Sequence, residues 1–249
     1  MENISLFLLE KKLKKLLSTL ACGTILATTV SAEFVQVKMG AGVWMNAPIS
    51  NLTYAKQKKT GIFNQNATTN GYAWVSVKHL ISLLPNIRLE YVSTEERGKI
   101  KGDFVEFKTT DFANIKYKTT QYDLIPYYNI LDNTNWILDL GFGARLLESD
   151  YTVSATKTFS GSTKGFFFPI PIPFLYIRAK TQTAIKNISI ESDAKVAIPP
   201  IGFDVRAKVD YTLDLIPYKP TIGVGYRVQG SAYNVLNASG FYAGLNLSF

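Results

Sequence analysis

Charged side chains recur at every second position along several segments of this 249-residue chain. Asp204, Arg206, Lys208 and Asp210 follow one another at that spacing, as do Arg88 and Glu90, and Arg178 and Lys180. Asp139 and Arg145 share one parity in a further segment, and Arg227 stands on the polar parity of another. A spacing of two puts side chains on one face of a strand. Two chemistries fit such rows if the strands enclose a lumen. One is a charged constriction that selects small solutes. The other is a set of ion pairs that ties the wall together across its middle. A ring of one sign would favour selection. Both signs alternate here, which favours internal pairing.

The inventory for covalent or metal chemistry is thin. One His and one Cys leave no Cys/His cluster for zinc. A Ser hydrolase needs a His within hydrogen-bond reach of its Ser, and His79 is the sole imidazole. His79 shares the parity of Val75 and Val77 near one end of its strand, and it reads as an interface residue. No enzyme and no cofactor are expected. Gly40/Gly42, Gly141/Gly143 and Gly223/Gly225 form three Gly-x-Gly pairs, but none has the third Gly or the helix of a dinucleotide loop. They read as space for inward Arg and aromatic side chains. Gly165 to Phe174 reads Gly-Phe-Phe-Phe-Pro-Ile-Pro-Ile-Pro-Phe. Alternating Pro lacks ladder donors, which places this segment at the outer rim, just before a strand. It reads as part of an interfacial aromatic girdle, or as a hydrophobic mouth for a ligand or partner.

The elements that must position these residues begin after a leader. Lys11, Lys12, Lys14 and Lys15 precede a mostly apolar stretch from Leu16 to Val30. Val30-Ser31-Ala32 then offers small residues for a signal peptidase, so cleavage is expected after Ala32. The apolar stretch is shorter than the ~20 residues of a spanning helix. Cys22 falls within it, and Thr19-Leu20-Ala21 is a poor lipidation signal, so the mature protein is expected to have no Cys. Removing residues 1–32 takes away four Lys and two Glu and lowers the net charge from +8 to +6. With no basic block beyond Lys56 to Lys59, a nucleic-acid groove is unsupported.

Alternation runs the length of the remainder. Val35, Val37, Met39, Ala41, Val43 and Met45 form one apolar face; Trp136, Leu138, Leu140, Phe142, Ala144 and Leu146 form another. Phe203, Val205, Ala207, Val209 and Tyr211 oppose the Asp204–Asp210 row. This pattern predicts strands at 34–46, 71–83, 86–96, 111–126, 135–147, 173–183, 186–196, 202–213, 220–233 and 240–249. The fourth is the least regular, because its period slips between Tyr117 and Tyr122. Connections are expected to alternate, long at 47–70, 97–110 and 148–172 and short at Leu84-Pro85 and Asp132-Asn133. Strands near the 9–11 residues that span a tilted bilayer, an even count and alternating connections point to an antiparallel transmembrane β-barrel of about ten strands over residues 33–249. Eight or twelve strands, and a soluble β-sandwich, are the alternatives.

The chain closes on Gly240-Phe-Tyr-Ala-Gly-Leu-Asn-Leu-Ser-Phe249, with Phe241, Leu245, Leu247 and Phe249 on one face. This strand resembles the assembly signal of bacterial outer-membrane proteins, which the barrel assembly machinery captures by edge pairing. With Leu83 to Tyr91, Leu138 to Ala144 and Gly225-Tyr-Arg227, the chain resembles a family of small Gram-negative outer-membrane β-barrels with a paired-glycine last strand. That resemblance implies an integral outer-membrane protein in contact with lipid and lipopolysaccharide. Barrel proteases of the omptin type carry an Asp/His site at the outer rim, and His79 is expected at the other end. The reading is a structural or narrow, porin-like barrel with a charged lumen. Its alternative is a surface adhesin or ligand-binding barrel acting through its loops.

Overall fold

The computed structural model describes residues 35–48, 67–81, 83–104, 107–154, 160–198, 202–214, 219–231 and 238–249. Cys22 and the expected cleavage site at Ala32 lie outside them. The described residues form ten strands: β1 (Val35–Pro48), β2 (Thr68–His79), β3 (Asn86–Phe104), β4 (Phe107–Asp132), β5 (Trp136–Ser154), β6 (Ser160–Gln182), β7 (Ile188–Ala197), β8 (Gly202–Thr212), β9 (Thr221–Ser231) and β10 (Ala238–Ser248). Each pairs antiparallel with its neighbours in sequence, and β10 pairs with β1 to close the barrel. Phe249 N–H donates to Val37 C=O at 2.9 Å, extending that seam. Closure leaves no edge strand around the wall.

Alternation sets which way the side chains face. Along β8, Phe203, Val205, Val209 and Tyr211 are exposed on the outside, whereas Asp204, Arg206 and Asp210 are buried. Along β10, Phe241 and Leu245 face outward and Tyr242 is buried. The apolar residues thus coat the exterior and the charges fill the interior, the inverse of a soluble domain. The outward apolar row of β5 runs from Trp136 to Leu146. At ~3.3 Å per residue and a tilt of ~45°, that is about 25 Å of height, a hydrocarbon core. Beyond it the outward residues turn charged, with Glu148 and Asp150 on β5, Lys116 and Lys118 on β4 and Arg97 on β3 exposed. Tyr91 and Tyr122, their rings 5.5 Å apart, mark the boundary. Leu140 lies at mid-height of this band, so Leu140→Arg is expected to cost roughly 2–4 kcal/mol of folding into lipid vesicles. Equilibrium refolding in urea checks this, and an unchanged midpoint would mean that this face does not meet hydrocarbon.

The connections differ from the sequence expectation. The segments 97–110 and 161–172 are largely strand, not loop: β3 and β4 form a tall hairpin, and so do β5 and β6. These four strands are 19–26 residues long, against 10–14 for the other six. Above the apolar band both faces of a strand can meet water. Apolar alternation then has no cause, and a search for it misses the strand. The proline-rich stretch also belongs to β6, not to a rim loop before it. Arg145 pairs with Ile172 but Leu147 with Phe168 and Ser149 with Gly165, so a bulge on β6 takes up Pro169 and Pro171, which cannot donate. The turn after β2 is longer than Leu84-Pro85, because β2 ends at His79. This turn shares one end of the barrel, the near end, with residues 133–135, 183–187, 213–214 and 219–220.

Candidate functional site in the barrel lumen

Antiparallel pairing brings the inward rows of six strands together at mid-height. Glu90 on β3 accepts from Arg88 Nε at 2.6 Å and from Arg206 Nη2 at 2.9 Å, and Lys195 donates to its second oxygen. β3 and β8 are five strands apart in a ring of ten, so the Glu90–Arg206 pair crosses the full lumen. Lys195 on β7 also donates to Asp123 on β4 at 2.7 Å. Arg145 clamps Asp123 with two bonds of 2.7 Å and reaches Asp204 at 3.3 Å. Arg227 clamps the same Asp204 at 2.8 and 2.6 Å, and Arg206 clamps Asp193 through Nε and Nη2. The result is one continuous network of five cations and four anions across the barrel.

A second network lies toward the near end. Arg178 binds Asp139 at 2.5 Å and approaches Glu191 at 3.5 Å. Lys208 bridges Glu191 and Asp210 at 3.3 and 2.8 Å, and Lys180 stands 3.8 Å from Asp210. Each charged member of these two networks has an opposite partner, which is what low-dielectric surroundings require. All ten charged residues proposed from the sequence point inward, and every one is ion-paired. The void among Tyr72, Trp74, Arg88, Arg206, Lys208 and Tyr242 is only about 10 Å³, scarcely room for one water.

Aromatic side chains fill the remaining interior. Arg88 stacks 4.0 Å from the Trp74 ring and Arg227 4.7 Å from the Trp44 ring, contacts that favour a desolvated guanidinium. Ile125, Tyr127, Phe174 and Tyr176 form one buried cluster; Trp44, Ala238 and Tyr242 form another. The Gly-x-Gly pairs make this filling feasible. A Cβ on Gly40 would lie 2.6 Å from the Trp74 indole nitrogen, and one on Gly143 would lie 2.6 Å from Phe174 Cε2 and nearer still to Cζ. No side chain fits beneath those rings.

Sequence reading missed four members of the networks. Glu191, Asp193 and Lys195 form an i, i+2, i+4 row on β7, a signal as clear as the β8 row. It was obscured by Ser192 on the outward face. Asp123 lies on β4 just below the apparent slip at Tyr117 to Tyr122. The ladder is regular there; outward Lys118 and Thr120 stand above the apolar band and break the pattern. The register shifts of β4 lie elsewhere, at Ile130 against β5 and between Thr109 and Ala113 against β3. His79 is half-buried at the near end of β2. It accepts from Ile81 N–H at 3.2 Å, and its Nε2 lies 3.2 Å from Pro85 C=O, so the ring pins the turn.

No family model matches the chain, and no curated protein matches it. Solved structures do match. The outer-membrane protease OmpT from Escherichia coli is 11% identical with a TM-score of 0.51, and the alignment covers 88% of this chain and 98% of that one. The translocator domain of the autotransporter NalP from Neisseria meningitidis is 10% identical with a TM-score of 0.42, covering 93% and 97%. Neisserial surface protein A is 12% identical with a TM-score of 0.28, covering 86% and 95%. The chain has the fold of bacterial outer-membrane β-barrels. At 11% identity the likeness to the protease is one of fold and says nothing of its chemistry.

Proposed function

We propose that this protein is an integral outer-membrane barrel with a sealed lumen, acting as a wall and scaffold rather than as a passage for solutes. The observation that carries this reading is the Glu90–Arg206 pair, which spans opposite walls and is braced by Lys195 and Asp123. A barrel of about ten strands has a lumen little wider than its own side chains fill. The apolar exterior and the fold support placement in lipid, with the near end toward the periplasm and lipopolysaccharide around the far end. The Phe241–Phe249 strand is the element the assembly machinery would capture, since its outward row is exposed and its backbone completes the seam. Catalysis is not part of the reading, because the sole His is held by a turn. The two tall hairpins favour a second, compatible role. They raise β3–β6 beyond the apolar band and present charged outward residues to a surface ligand or partner.

Planar-bilayer recording tests the sealed lumen. The folded mature protein is expected to give no single-channel steps. Reproducible steps, shifted by neutralising Asp204, Arg206 and Lys208, would replace this reading with a narrow selective channel.

A further inference from the structure

The near end of the lumen holds a cavity of about 280 Å³, room for several waters. Gln36, Lys38, Lys78, Tyr127, Asp132 and Arg178 line it. Its cations are not equivalent. Arg178 is bound by Asp139 and Glu191, and Lys78 by Asp132. Lys38 makes no ion pair or side-chain hydrogen bond among the described residues, although its neighbours on the inner face are polar. Glu191 faces Lys38 from beyond ion-pair distance and is held by Arg178 and Lys208, so this half-buried ammonium, beside two further cations, has no carboxylate of its own. The other inward cations of the two networks each have a partner among the described residues. The cavity is also a dead end, because Arg178 and its acids stand above it and the cross-lumen pairs above those.

We propose that this vestibule binds a small oxyanion, a carboxylate or phosphate, from the near side, with Lys38 as its principal contact. The Lys38 ammonium supplies a charge-assisted hydrogen bond, and Lys78 and the Gln36 amide are further donors on the same cavity wall. The size admits an anion with a substituent of a few heavy atoms and excludes an extended polymer. The inference rests on the lumen being closed above Arg178, but its test reads binding, not conductance, so the two can fail separately.

Calorimetric titration of the folded protein in a neutral maltoside detergent, with inorganic phosphate and with acetate as probes, decides it. At least one probe is expected to bind, and Lys38→Gln to weaken it about tenfold, the loss of one charge-assisted bond. Lys38→Arg keeps the charge and is expected to bind within about threefold of the parent, which separates a lost contact from lost folding. Lys116→Gln, on the exposed outer part of β4, makes the same charge change far away and is expected to leave binding unaltered. In nanodiscs, phosphate binding that persists in phosphatidylglycerol assigns the site to a free anion. Competition by that lipid assigns it to a headgroup phosphate. Failure of both probes to bind, or equal weakening by Lys116→Gln, would overturn the proposal.

Discussion

Asp204→Ala is expected to destabilise the folded barrel by roughly 3–5 kcal/mol, the loss that follows when one partner of a buried ion pair is removed. Asp204 is buried on β8 and accepts two bonds from Arg227 and one from Arg145. The two arginines do not depend on it equally. Arg145 keeps its double clamp to Asp123, whereas Arg227 has no other acid within ion-pair distance among the described residues. Arg227 would be left as a buried guanidinium facing only the Trp44 ring. The ring attraction is worth about 2 kcal/mol at most, less than the several kcal/mol of desolvation for an unpaired ion. Two comparisons make the attribution sharp. Arg227→Met is expected to cost clearly less, because Asp204 retains Arg145 at 3.3 Å. The double variant Asp204→Ala with Arg227→Met is expected to recover most of the loss, since neither charge remains. Urea unfolding from vesicles measures all three. If the double variant falls as far as Asp204→Ala alone, charge pairing is not the cause, and the loss belongs to packing.

The barrel was legible in the sequence because lipid imposes one rule on every spanning strand. Outward residues must be apolar, so β8 and β10 show clean alternation and their inward rows can be read as charges without any knowledge of partners. Legibility ended where that rule ends. Above Tyr91 and Tyr122 a strand is held by its backbone ladder and by exposed pairs such as Lys116–Glu95, and Glu95, Lys116 and Lys118 carry no apolar signal. The same logic explains the bulged proline stretch of β6, whose local chemistry argues against a ladder that its neighbours nonetheless complete. Pairing across the lumen was not readable at all. Glu90 and Arg206 are 116 positions apart, and only the closure of ten strands sets them face to face. Strand parity gives direction, whereas strand register and closure give partners.

Register also makes the closure removable. Glu90, Asp123, Lys195 and Arg206 supply three of the pairs that cross the lumen, two charges of each sign. Changing all four to Ala leaves the net charge unaltered and deletes those bridges without touching a wall hydrogen bond, since ladder bonds are made by the backbone. The freed volume is bordered by Arg88, Arg145, Asp193 and Asp204, a polar lining that water wets. The quadruple variant is therefore expected to show resolvable single-channel steps where the parent is silent. Glu90→Ala alone is expected to behave differently. It leaves Arg88, Arg206 and Lys195 around one missing acid, so any current it passes should favour anions, whereas the quadruple variant should discriminate little. Reversal potentials in a salt gradient separate the two cases. Folding must be scored in the same preparations, by strand content and resistance to protease. A folded, inserted quadruple variant that stays silent would mean that the bridges are not what closes the lumen. The two aromatic clusters, Trp44 with Tyr242 and Ile125 with Phe174, would then be the residues that close it.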